Sequence, residues 1–158
     1  MKKAWSMTAL AGCCLALPAL HCNQPAPDTR AADETAIRSM NPNWFKFYNA
    51  GDVNGIVALY AEDAVLNAPG APAARGHAEI RELLKKDIAA SATSGTTLNG
   101  NTTTEVGVSG DLGWEWSTFT ATDKSGAIVD RGKYVTVYGR KNGKWLIIRD
   151  IWNSDGPI

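Results

Sequence analysis

The chain has 158 residues, 44% of them apolar, which suffices for one domain with a real core and not for two substantial ones. Its 16 basic residues balance 16 acidic ones, and no basic run exceeds Lys85-Lys86, so a nucleic-acid partner is not expected. Cys13, Cys14 and Cys22 all fall in the apolar N-terminal stretch and His77 is the only histidine beyond it, so the remainder lacks the material for a disulfide, a thiolate or histidine metal site, or a Ser-His-Asp triad, and no cofactor is expected.

Met1-Lys2-Lys3 followed by apolar Ala4 to Leu20 has the charged head and apolar body of an export signal. Residues 1–22 therefore read as a signal peptide, 23–30 as a linker and 31–158 as the domain. Leu10-Ala11-Gly12-Cys13 resembles the lipobox of bacterial lipoproteins, whose cysteine is acylated after cleavage; Cys22 is the second candidate for a lipid anchor. Asn23-Gln24-Pro25-Ala26-Pro27 then reads as a tether. The expectation is an exported protein, periplasmic or held at the membrane by lipid. A signal-anchor helix is the alternative, since about 17 apolar residues is the lower edge of a membrane span; Ser6, Thr8 and Pro18 weigh against it.

Between Ala31 and Ala50, Ile37, Met40, Trp44, Phe47 and Tyr48 recur at helical spacing and predict an amphipathic helix ending at Gly51, kinked or split at Pro42. Asp52 is a candidate N-cap for a short second helix with Ile56, Leu59 and Tyr60 facing inward. Ala64 to Ala68 reads as a strand stopped by Pro69-Gly70. A third helix runs from His77, read as a solvated opening residue, to about Ala90. Beyond Ser91, the stretches 96–108, 113–122, 128–138 and 144–153 are rich in Thr, Val, Trp and Tyr and are divided by turn signals such as Lys141-Asn142-Gly143. They predict an antiparallel meander. The class is α+β, with helices covering one face of a sheet.

The last predicted strand places a carboxylate among apolar residues. Leu146, Ile148, Asp150 and Trp152 share one parity, and Trp145, Ile147, Arg149 and Ile151 the other. A buried Asp is costly unless paired or used, so this alternation points to a pocket.

Asn49-Ala50-Gly51-Asp52, IVALYAEDAVLNAPG and RGHAEIREL closely resemble the N-terminal half of the ketosteroid isomerases. The tail GKYVTVYGRKNGKWLIIRDIWNSD resembles the SnoaL-like, ketosteroid-isomerase-like proteins of the nuclear transport factor 2-like superfamily. The resemblance covers about Ala31 to Asp155 and implies a cone: a curved antiparallel sheet wrapped around three N-terminal helices, with a deep apolar cavity open at one end. In the isomerases an Asp base moves a proton beside a carbonyl while a Tyr and a protonated Asp hold the oxyanion. The resemblance puts the base position on Ala68, the Tyr position on Trp44 and the acid position on Lys133, so steroid isomerisation by that mechanism is not expected.

The same register implies a cavity lined by Trp44, Tyr48, Tyr60, Leu66, Ala68, Trp114, Trp116, Thr118, Val135, Val137, Leu146, Ile148 and Trp152, with Lys133 and Asp150 as its polar features. Aromatic walls around a few polar groups suit a small apolar molecule; large side chains filling a packed cone are the alternative. Asp150 is read as the salt-bridge partner of Lys133, as an anchor for a ligand hydroxyl or amine or, should no cation lie near, as a general base of raised pKa. Glu115, Ser117, Phe119, Tyr134 and Thr136 are expected on the outside of the sheet, with Phe119 and Tyr134 exposed for a homodimer contact. Three functions stay open: a binding module, an isomerase, cyclase or dehydratase using Asp150 with Lys133 or Tyr48, and an assembly domain with a filled cavity.

Overall fold

A computed structural model describes residues 28–101 and 105–156; the expected leader, all three cysteines and the tether lie outside the described residues. The first helical stretch forms two pieces, α1 (Arg30–Arg38) and α2 (Met40–Asn49). The break falls at Ser39, three residues before Pro42. A proline ring crowds the carbonyl four residues upstream, here that of Arg38, and Pro42 itself sits in the first turn of α2, where backbone donors have no partner within the helix. α3 (Val53–Val57) is capped as expected: the Asp52 carboxylate accepts from the Gly55 backbone N–H at 2.8 Å.

β1 (Tyr60–Asn67) begins earlier than its sequence signal and takes Tyr60 out of the helix. β2 (Ala74–Arg75) leads into α4 (Gly76–Ser94), which stops at Gly95 in the left-handed conformation, φ +71°. The predicted strand 96–108 comprises β3 (Thr97–Gly100) and β4 (Glu105–Ser109). Both pair with β5 (Leu112–Thr122), one along each half of its edge. β6 (Ile128–Lys141) and β7 (Lys144–Ser154) complete a curved seven-stranded sheet of order β2-β1-β7-β6-β5-β3. β5, β6 and β7 form the expected antiparallel meander, whereas β1 runs parallel to β7. The helices pack on one face, and Ile37, Tyr48, Ile56, Tyr60, Leu66, Ile80, Leu84, Tyr138 and Ile147 bury together beneath them. α1 lies so close to the sheet that a Cβ on Gly113 would meet Ile37 Cδ1 at 2.4 Å.

One local feature decides which residues of the meander face the helices. The β6–β7 hairpin turns through Asn142 (φ +50°) and Gly143 (φ +77°), the paired positive φ values of a tight two-residue turn. Its register runs from Lys141↔Lys144 to Tyr138↔Ile147, and then Val137 pairs with Arg149 instead of Ile148. Ile148 is thus an extra residue, a β-bulge, and the side-chain alternation restarts beyond it. Trp145 and Ile147 are buried before the bulge; Asp150 is buried and Trp152 half-buried after it. Across the sheet Asp150 pairs with Thr136, and Thr136 with Glu115, so those residues share the inner face.

The expected faces of β5 and β6 are therefore reversed. Glu115, Ser117, Phe119, Tyr134 and Thr136 are buried under the helices. Lys133, Val135, Val137, Trp114, Trp116 and Thr118 take the outer face, where Lys133 pairs with Asp155 and Trp114 and Trp116 are 44% and 38% exposed.

Candidate functional site

A cavity of about 300 Å³ lies between α2, α4 and the inner faces of β5, β6 and β7. Its aromatic wall comes from Trp44, Phe45 and Tyr48 of α2, Phe119 of β5, Tyr134 and Tyr138 of β6, and Trp152 of β7. Helical spacing sets the α2 contribution: Trp44 and Tyr48, one turn apart, stack at 5.2 Å between ring centroids. Leu66, Leu84, Leu98 and Ile147 supply aliphatic surface. Asn41, Asp87, Thr96, Asp130, Thr136 and Asp150 are its polar groups, and no lysine, arginine or histidine lines it among the described residues.

Asp150 is held by neutral donors. The Tyr60 hydroxyl donates to its Oδ2 at 2.5 Å and the Thr136 hydroxyl to its Oδ1 at 3.1 Å. Trp44 Nε1 donates in turn to Tyr60 Oη at 3.1 Å. β1 brings Tyr60, β6 brings Thr136 and the bulged β7 brings the carboxylate. Burial pushes the Asp150 carboxyl above the usual carboxylate range, against the opposing pull of the two hydroxyl bonds. The Tyr60 phenol is likewise pushed well above its ordinary value, first by burial and then by the Asp150 charge.

A second buried carboxylate stands behind the wall. Glu115 is fully enclosed and accepts from Tyr134 Oη and Tyr138 Oη, both at 2.9 Å. Asn41 donates to Tyr134 Oη. Burial raises the Glu115 pKa, and the Asp150 charge adds to it. Tyr48 completes the polar set, donating to Asp87 Oδ2 at 2.8 Å and lying 2.7 Å from the Ser91 hydroxyl.

Of the residues singled out in the sequence, Trp44, Tyr48, Leu66, Asp150 and Trp152 line the cavity, and Tyr60 stands behind it as the donor to Asp150. Leu146 and Ile148 are half-buried against the core, outside the cavity, because the bulge gives their inward places to Trp145 and Ile147. Ala68 lines a wider adjoining hollow that shares Leu83, Asp87 and Trp152 with the cavity. Lys133, Trp114, Trp116, Thr118 and Val135 lie on the far side of the sheet, and the expected Asp150–Lys133 ion pair is replaced by Lys133–Asp155. His77 is not simply solvated: its Nε2 lies 2.9 Å from the Tyr60 carbonyl and ties α4 to β1.

Phe119, Tyr134, Thr136, Tyr138 and Asp87 were not legible as cavity residues, nor Glu115 as the buried acid behind them. The alternation Tyr134-x-Thr136-x-Tyr138 was visible, but assigning it a face needed the register beyond Ile148.

These carboxyls set a pH dependence. Unfolded Asp and Glu titrate near ~3.9 and ~4.3, and the native Asp150 and Glu115 titrate higher. Between those values the native state holds more protons than the unfolded chain, so stability falls as pH rises through that interval and levels off above it. Asp33, whose carboxyl is held low first by Arg140 and then by Thr29, acts oppositely: its stabilisation is present above the ordinary carboxylate range and lost as pH falls below it. Urea unfolding of Asp150→Asn and Glu115→Gln across pH is expected to show a weaker decline through that interval than the parent chain. An unchanged slope would contradict the raised pKa values.

The SnoaL-like domain family matches residues 43–148. No curated protein matches the chain by sequence. Solved structures with the same fold include an NTF2-like protein with a cystatin-like fold from Novosphingobium aromaticivorans, at TM-score 0.72 and 20% identity over 80% of this chain and 85% of that one. A ketosteroid isomerase-like protein from Erwinia carotovora atroseptica aligns at TM-score 0.62 and 22% identity, covering 79% of this chain and 98% of that one. An NTF2-like protein from Pseudomonas putida KT2440 aligns at TM-score 0.69 and 21% identity, covering 78% and 87%. With the curved sheet, the helices packed on one of its faces and the family match in agreement, this chain belongs to the SnoaL-like domain family.

Proposed function

We propose that the chain binds a small, largely aromatic molecule in the cavity between α2, α4 and the sheet, with Asp150 as its polar anchor. The observation that carries this reading is the open space beside a buried carboxylate. A dry cavity of roughly 150 Å³ suffices for benzene, and this one is about 300 Å³, so a two-ring molecule is of the right size. That free volume also weighs against an assembly domain with a filled cone. 1-Naphthol, two rings with one hydroxyl to donate, is a suitable probe. It is expected to quench Trp44 and Trp152 emission in a saturable titration. Asp150→Asn is expected to weaken binding about tenfold, the loss typical of one charge-assisted hydrogen bond. No saturable signal at millimolar probe with folded protein would sink the reading.

A second reading, proton transfer beside a carbonyl, is favoured by one observation: among the described residues Asp150 has no cationic partner, and its pKa is raised by burial, the setting in which a carboxylate becomes a useful base. Ala68, Trp44 and Lys133 at the isomerase positions argue against that family's own mechanism, and Lys133 on the outer face is no longer a candidate electrophile; Tyr48 remains. Solvent deuterium uptake by 2-tetralone, followed by NMR, is expected to exceed the buffer rate and to return to it in Asp150→Asn. Equal rates with and without protein would remove this reading.

Two proposals concern the chain outside the cavity. We read residues 1–22 as an export leader with lipid attachment at Cys13 or Cys22, which fractionation and intact mass of the full-length chain would test. The homodimer contact moves from Phe119 and Tyr134, now buried, to Trp114, Trp116, Val135 and Ile151. These lie side by side across β5, β6 and β7 and leave an apolar patch in water. Light scattering is expected to show a dimer for the parent chain and a monomer for Trp116→Lys; a monomeric parent would exclude the contact.

A further inference from the structure

We infer that the cavity selects an organic cation, an amine or quaternary ammonium carried on an apolar body. This rests on the small-molecule reading above and names the chemical class of its ligand. Asp87, Asp130 and Asp150 reach the cavity from α4, β6 and β7, and no lysine, arginine or histidine does so among the described residues. Their partners are neutral: Tyr48 on Asp87, Tyr60 and Thr136 on Asp150, and the Ser154 hydroxyl and Arg131 backbone N–H on Asp130. None of the three takes part in an ion pair among the described residues.

The aromatic surfaces work in the same direction, because ring faces attract a cation within about 6 Å. Trp44 and Tyr48 stack beside the cavity, and Trp152 packs edge-on to Phe119. An anionic ligand would enter against three carboxylates in a poorly screened space. A metal ion is not the cation that fits: no group of three acids or histidines is close enough to hold one among the described residues. Carboxylates set apart on three elements with rings between them match a charge spread over a methylated or alkylated nitrogen.

The experiment compares benzyltrimethylammonium with neopentylbenzene, which has the same shape with carbon in place of the charged nitrogen. Calorimetry and tryptophan quenching on the folded chain are expected to show the cation bound at least tenfold tighter. The double variant Asp87→Asn, Asp150→Asn is expected to reduce that preference below about threefold while neopentylbenzene still quenches, which shows the fold and cavity to be intact. A cation would also draw the Asp150 carboxyl down from its raised pKa, so binding near that pKa is expected to release protons, read as a dependence of the heat on the buffer's ionisation enthalpy. If neopentylbenzene binds as tightly as the cation, the charge selection is overturned and the cavity reading stands. If neither probe binds, both are overturned.

Discussion

The extra residue in β7 is the constraint on which the rest depends. Without Ile148 out of register, the tight Asn142–Gly143 turn would carry the pairing sum of Lys141 and Lys144 along the whole hairpin, and Asp150 would face Val135. The bulge moves it opposite Thr136 and, through Thr136, in line with Glu115. One inserted residue therefore selects which half of β5 and β6 is buried, because side-chain direction in a strand has period two and cannot shift partway. It also lets both ends of β7 contribute inward: Trp145 and Ile147 to the packed core, Asp150 and Trp152 to the cavity.

What that choice buries is chemically unusual. Two carboxylates lie on the inner face, each accepting from two hydroxyl donors, and among the described residues neither forms a salt bridge. Hydroxyl donors remove the penalty of an unsatisfied polar group without cancelling charge, so the desolvation cost remains as raised pKa values. Aromatic hydroxyls suit this place, since each ring adds apolar wall while its OH reaches the acid. Tyr134 and Tyr138 are thus wall and scaffold together, while Tyr60 holds Asp150 from behind the cavity. The contrast with Asp33 is instructive: that acid is also almost buried, but Arg140 lies 2.6 Å away and lowers its pKa. Arg140 in turn lies over the Trp145 ring, and this cluster fastens α1 to the β6–β7 hairpin. One buried acid anchors a helix and the other faces a space.

The tryptophans on the outer face have a local reason of their own. A Cβ on Gly107 would fall 2.3 Å from Trp114 Nε1, so the indole lies flat across that glycine on the neighbouring strand. Covering a glycine with an aromatic ring restores cross-strand contact where β4 has no side chain to give. Trp116 beside it carries no such partner, and it remains partly in water next to Val135.

Much of the architecture followed from the sequence, because it rests on local signals: helical spacing around Ile37, Trp44 and Tyr48, the Asp52 cap, the glycine after α4, and turn residues between strands rich in Thr, Val and Trp. The same holds for the inward Asp150, whose apolar neighbours Leu66 and Trp152 stayed on its side. Lys133, Trp114, Trp116, Thr118 and Val135 were assigned to the wrong face because they lie across the sheet from Asp150, and transferring a face between strands needs the register. A bulge leaves no mark in a run such as Trp-Leu-Ile-Ile-Arg, which has neither the glycine nor the proline that would single out one position. Only the packed sheet, which must seat Trp145 against α1 and Ile147 in the core and still turn Asp150 toward Tyr60, decides that Ile148 is the residue left unpaired.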